Sequence, residues 1–130
     1  MSTTLFLIFN HLITKRHRGD ARVSLYVERI VDLPPDLKER WCNIPPDLPR
    51  IATYIEPIKQ WLESQAAERD YVLIQGDFGA CYLMIGFAFD LGLVPVYSTT
   101  LREVVEEQRD DGSVRLTHSF KHRMFRRYGS

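Results

Sequence analysis

Cysteine is scarce in this chain of 130 residues: Cys42 and Cys81 are the two present, with no CxxC pair and no Cys/His spacing suited to zinc. A disulfide-framed secreted domain is therefore not expected, and a reducing, cytoplasmic setting fits better. Cys81 lies in an apolar run and reads as a small core residue. Long hydrophobic runs are missing too. The longest, Tyr82 to Phe89, is far too short to span a bilayer, so no membrane partner is expected. The apolar Leu5 to Phe9 has no basic residue before it and no small-residue cleavage site, so no secretory signal is expected. There is no GxGxxG and no Walker loop. Nor is there a clustered Asp/Glu/His set of the kind that holds a divalent metal, or a Ser-His-Asp arrangement recognisable from spacing. No cofactor is expected. Net charge is absent as well: 17 basic and 17 acidic side chains cancel, which argues against a long nucleic acid as partner.

What is present is a composition that can bury a core, 45% hydrophobic and 26% charged, at a length suited to one domain over residues 1–130. The charge is unevenly spread. Residues 1–22 carry Lys15, Arg16, Arg18 and Arg22 against Asp20 alone. Residues 112–130 carry Arg115, Lys121, Arg123, Arg126 and Arg127 with no acid, and the acidic surplus lies between. All four histidines, His11, His17, His118 and His122, fall in the two basic ends. If folding brings those ends together, a neutral protein acquires a local basic surface.

The pattern of the chain predicts alternating strands and helices. Thr4 to Phe9 reads as a buried strand. A short helix over 12–22 is weakened by Gly19, and Val23 to Val31 alternates loosely enough to suggest a second strand. Pro34-Pro35 ends that strand, and Asp36 to Trp41 suits a brief helical turn. Leu48, Ile51, Ile55, Ile58 and Leu62 recur at helical spacing up to Ala67, with a kink or break expected at Pro57. Tyr71 to Gln75 is another short strand. Gly76-Asp77-Phe78-Gly79 forms the turn into an apolar helix over Ala80 to Leu91, stopped by Gly92. That helix has no polar face and so calls for packing on both sides, against the sheet and against another subunit. In the next strand, Leu93 to Tyr97, Pro95 suggests an edge position or a bulge. Asp110-Asp111-Gly112-Ser113 between β-type runs signals a hairpin. The expected class is α/β: a mainly parallel sheet flanked by helices over 1–100, with a C-terminal β-hairpin over 101–130.

In such sheets ligands bind beyond the carboxyl ends of the strands. Asn10 and His11 follow the first strand, Gln75 to Gly79 the third, and Ser98-Thr99-Thr100 the fourth. The Gly76–Gly79 turn offers backbone amides to a phosphate at a helix N-terminus. Asp77 is either the N-cap of that helix or a group that accepts a ribose hydroxyl or acts as a base. A lone His11 is more often a satisfied structural residue, though its place at a strand end narrows the odds. Ser98, Thr99 and Thr100 are ordinary loop residues unless the other parts converge. Over His118 to Tyr128 aromatic and basic residues alternate; extended, Lys121, Arg123 and Arg127 would share one face, and His122, Met124 and Arg126 the other. This segment is either an edge strand protected by charge or an anion-recognition strand. His11, Asp77, Lys121 and His122 could together support cleavage of an RNA-like diester in which the ribose 2′-hydroxyl attacks, with no metal required.

The sequences LFLIFNH, WCNIPPDL, YVLIQGDFGACYLMIGFAFDLGLVPVYSTT and FKHRMFRRY together resemble small stand-alone CRISPR-associated accessory proteins of type III systems. That group is similar in fold to the Rossmann-like CARF domains and includes ring nucleases. The resemblance covers nearly the whole chain. It implies a cytoplasmic homodimer of antiviral defence whose two-fold axis passes through the ligand site. The ligand would be a cyclic oligoadenylate, first of all cyclic tetra-adenylate, linearised without metal to products ending in a 2′,3′-cyclic phosphate. Carried over by position, Asn10, Gln75, Gly76, Phe78, Gly79, Ser98, Thr99, Thr100 and Arg123 would bind it. Asp77, Lys121, His122 and His11 are the candidates for catalysis. A sponge or sensor that holds the same messenger without cutting it needs nearly the same residues. A general RNA-binding protein is the weakest alternative, because no RNP1 segment or KH-type GXXG loop is present.

Overall fold

A computed structural model describes residues 2–130. Its elements run β1 (Thr4–Phe9), α1 (Lys15–Ser24), β2 (Arg29–Asp32), α2 (Pro35–Cys42), α3 (Glu56–Gln65), β3 (Tyr71–Gln75), α4 (Phe78–Asp90), β4 (Val94–Gln108) and β5 (Val114–Arg127). Together the strands form one mixed five-stranded sheet in the order β2-β1-β3-β4-β5. The first four are mutually parallel, and β5 runs antiparallel to β4 as the returning half of the expected hairpin. Every residue of β1 is buried, as its unbroken apolar run requires of a central strand covered on both faces. Phe6, Ile8, Val72 and Ile74 pack with Trp41, Ile58, Leu62 and Met84 of α2, α3 and α4. Leu5, Leu7, Phe9, Leu73 and Val96 pack on the other face with Ala21 of α1, Val27 and Phe125.

Four local expectations are corrected. The alternation over Val23 to Val31 is not a strand: α1, capped by Thr14, continues through Ser24, Tyr26 turns at a positive φ of 57°, and the strand begins only at Arg29. Pro57 does not kink a helix over 48–67. It lies in the first turn of α3, where the missing N–H is harmless, and Ile51 and Ile55 reach the same core from turns that precede the helix. Pro95 is on an interior strand, since β4 lies between β3 and β5. It is tolerated because β4–β5 pairing begins one residue later, at Val96, while its carbonyl accepts the Tyr128 N–H at 3.0 Å. Ser98-Thr99-Thr100 is not a loop but the middle of β4.

The expected division of faces in the last strand is also overturned. Thr99 pairs with Met124 and Thr100 with His122, so Arg123 is an extra residue that bulges out of β5. Alternation is reset there, and His122 and Phe125, three residues apart, are both buried beneath α1. Met124 and Arg126 therefore do not share the face of His122.

Candidate functional site

The winding order reverses between β1 and β3: from β1 the chain moves outward to β2, and from β3 it moves the other way to β4. This is the position where open α/β sheets leave a crevice at their carboxyl ends. Helix α2 fixes both strand ends. Lys38 Nζ donates to the carbonyls of Phe9 (2.7 Å) and His11 (3.0 Å), and Trp41 Nε1 donates to Gln75 O (2.9 Å). Gly76 is required beside that tryptophan, because a Cβ there would lie 2.8 Å from Trp41 Nε1.

On the α1 side of this crevice is a cavity of about 410 Å³, walled by Phe9, His11, Leu12, Thr14, His17, Gln75, Ser98, Thr100, Phe120 and His122. A chain of hydrogen bonds runs along its floor. Thr14 N–H donates to His17 Nδ1 at 3.1 Å, so that nitrogen is an acceptor and the neutral ring carries its proton on Nε2. His17 Nε2 lies 3.3 Å from Ser98 Oγ, Ser98 Oγ lies 2.6 Å from His122 Nδ1, and His122 Nε2 lies 2.6 Å from Asp20 Oδ2. With His122 donating to the carboxylate, Ser98 donates to His122 and accepts from His17. Serine, histidine and aspartate are thus linked as in a nucleophile–base–carboxylate triad, with the two ring nitrogens exchanged.

Electrostatics agree with these roles. Burial, aided by neighbouring His122 and opposed by Asp20, pushes His17 down to about 4, so the ring is neutral near pH 7. Partial burial alone would raise the Asp20 carboxyl. Hydrogen bonds from Ser24 and His122, with the charges of His122 and Arg123, outweigh it and hold the group below its ordinary value. Among the described residues no group of three or more His, Cys, Asp or Glu is arranged to hold a metal ion, and no helix is long and apolar enough to cross a membrane.

The structure gathers His11, Gln75, Ser98, Thr100 and His122 into this cavity and leaves the other candidates elsewhere. Gln75 Oε1 accepts the Ser98 N–H at 2.7 Å. Gly76 and Phe78 line a second cavity of about 520 Å³, which Gln75 also borders, together with Cys81, Tyr82, Tyr97 and Tyr128. Burial raises the Cys81 thiol to about 11, so it stays protonated. Asp77 caps α4 by accepting the Ala80 N–H at 3.0 Å, and Gly79 sits in the same first turn. Asn10 is exposed beyond β1. Thr99 Oγ1 bonds the backbone of Met124. Lys121 is adjacent to His122 in sequence but does not line the cavity, and it pairs with Glu103 at 2.9 Å. Arg123, at the bulge, acts on the site through the field at Asp20.

Sequence reasoning missed Thr14, His17 and Asp20. Two signals were available. Thr14-x-x-His17 is a capping box with histidine in the place of the usual glutamate, and His17-x-x-Asp20 has the spacing that puts both side chains on one helix face.

A profile described as the Uncharacterized protein MJ1673 family matches residues 3–126. The chain is 48% identical over 124 residues to "Uncharacterized protein MJ1673" of Methanocaldococcus jannaschii, an alignment covering 95% of each chain. No solved structure matches it.

Proposed function

The chain belongs to the Uncharacterized protein MJ1673 family, and we propose that it binds a cyclic oligoadenylate, cyclic tetra-adenylate first, and opens the ring by metal-independent cleavage of an RNA-type phosphodiester. The observation that carries this reading is the cavity at the reversal of strand order, where His11, His17, Ser98 and His122 converge beside Gln75 and Thr100. Four parallel strands with that reversal support a Rossmann-like, CARF-like view of the fold. The setting would be the cytoplasm and the process the shut-off of type III CRISPR antiviral signalling. A homodimer suits a ring of identical nucleotides.

The chemistry follows from the hydrogen-bonded chain. The ribose 2′-hydroxyl attacks its neighbouring phosphate; the 2′-O–P bond forms and the bond from phosphorus to the 5′-oxygen breaks. Ser98 Oγ takes the 2′-hydroxyl proton as its own passes to His122 Nδ1, and Asp20 stabilises the imidazolium so formed. His11 at the rim supplies a proton to the departing 5′-oxygen. The product ends in a 2′,3′-cyclic phosphate opposite a free 5′-hydroxyl.

The test is incubation of the protein with cyclic tetra-adenylate in EDTA, with chromatography and mass measurement of the products. Linear products with cyclic phosphate ends are expected. His122→Ala and Ser98→Ala should slow the reaction by roughly 10²–10⁴-fold. Lys121→Ala, outside the cavity, should remain near the parent rate. An intact ring after long incubation at excess protein would sink the enzymatic claim. A second reading, capture without cleavage, draws on one observation: Ser98 and His122 are 6% and 4% exposed and already engaged with each other and with His17 and Asp20. Calorimetric binding of the ring without turnover selects it.

A further inference from the structure

Beyond the bulge, β4 and β5 leave the body of the protein as a two-stranded arm. From Leu101 to Gln108 and from Val114 to Lys121, every residue except Glu103 and Ser119 is exposed. A two-stranded ribbon with both faces in water is marginal on its own, so an arm of this length calls for a covering surface. Its register is unbroken from Thr100↔His122 to Gln108↔Val114, and residues opposite one another share a face. One face, continuous with His122 and the cavity wall at Phe120, carries Arg102, Val104, Glu106, Leu116 and His118. Its apolar members are open to solvent, with Val104 at 54%, Leu116 at 58% and Phe120 at 66% exposure.

This face is complementary to itself. Reversed about the Val104↔His118 pair and laid on a second copy, it sets Arg102 opposite Glu106 of the partner subunit and Phe120 opposite Leu116 of the partner subunit, each contact occurring twice. The arm tip, acidic at Asp110 and Asp111, would then approach the place where the other copy's α1 covers the cavity floor. That helix exposes Lys15, Arg16, Arg18 and Arg22. We propose that the β4–β5 arm is a self-association surface: two copies pack arm on arm about a two-fold axis, and each arm closes over the cavity mouth of the other. The axis crosses the arms at Val104↔His118, so each copy keeps its own cavity and no single ring is shared on the axis; the inference is independent of what the cavity binds.

Charge reversal tests it by sedimentation equilibrium on the full chain. The parent protein should be a dimer. Arg102→Glu sets like charges opposite each other, and so does Glu106→Arg; each should weaken the dimer by at least roughly tenfold while leaving the thermal melt of the fold in place. Mixed one to one, the two variants regain complementarity at both contacts and should form a mixed dimer, as the double variant should with itself. Tyr82→Asp, on the exposed side of α4, should leave the dimer intact. A parent protein that stays monomeric up to about 1 mM overturns the proposal. So does a dimer indifferent to both reversals, a mixture that fails to recover, or a dimer dissociated by Tyr82→Asp.

Discussion

His17 is buried as a neutral ring, and this makes it a source of acid sensitivity. Its value in the folded chain, about 4, is below the ordinary 6.5, so the unfolded chain binds the proton first. Stability from this group is complete above pH 6.5 and is lost as pH falls toward 4. The full loss is about 3 kcal/mol for a shift of this size. Asp20, also depressed, adds a loss at still lower pH, as it is protonated through its folded value. Urea midpoints measured from pH 7 to 3.5 should fall steadily, and His17→Gln should flatten the upper part of that slope. An unchanged slope in the variant would remove His17 from the account. At Gly76 the constraint is steric: Gly76→Ala forces Trp41 away from Gln75 O, and a loss of about 1–3 kcal/mol is expected in a thermal melt.

At the level of elements, the strands β1 and β3, the apolar helix α4 with its Gly92 stop, and the hairpin turn were legible because each depends on local pattern or turn chemistry. Gly92 and Gly112 both adopt positive φ, as their positions demand. What the chain hid was set by tertiary pairing. The bulge at Arg123 leaves no mark in the alternation of charges and aromatics, yet it decides that Phe125, not Met124, turns inward with His122. With Met124 opposite Thr99 and Phe125 opposite Ser98, Phe125→Ala should cost about 3 kcal/mol in a thermal melt and Met124→Ala well under about 1 kcal/mol. The reverse order would show that the strand alternates without a bulge. Thr14→Ala removes the side-chain cap of α1 and the Oγ1 contact to His17 Nδ1, while the backbone N–H at position 14 still donates to that nitrogen, so about 1 kcal/mol of stability should be lost in a thermal melt.

For the whole molecule, the cancellation of charge is the informative quantity. The two basic ends do meet, through α1 and β5, but Asp20 lies at their junction and His17 and His122 turn inward. The result suits a compact anion in a cavity better than a phosphate backbone along a surface. Cyclic tetra-adenylate should therefore bind more tightly than long single-stranded RNA at physiological salt, with a shallow dependence of affinity on ionic strength. Tighter binding of the long RNA would return the arm and the basic tail to the front of the argument. The candidate site was half legible from sequence. His11, Gln75, Ser98, Thr100 and His122 follow from strand ends and the last strand, whereas Asp20 enters only because α1 folds across β5.

Asp20 and His122 are 102 residues apart in the chain, and the bond between them ties the first helix to the last strand. A chain emerging from the ribosome can pair β1 with β2 and cover them with α1 long before β5 is synthesised. In that interval Ser98 and Asp20 both lack their hydrogen-bond partner His122. The hydrogen-bonded relay is therefore a late event of folding, with a high loop-closure cost, and its appearance should mark the completion of the fold. A nascent or C-terminally shortened chain would lack Phe120 and His122 from the cavity wall as well as the hydrogen bonds that His122 makes at its floor, so ligand capture should await the synthesis of β5.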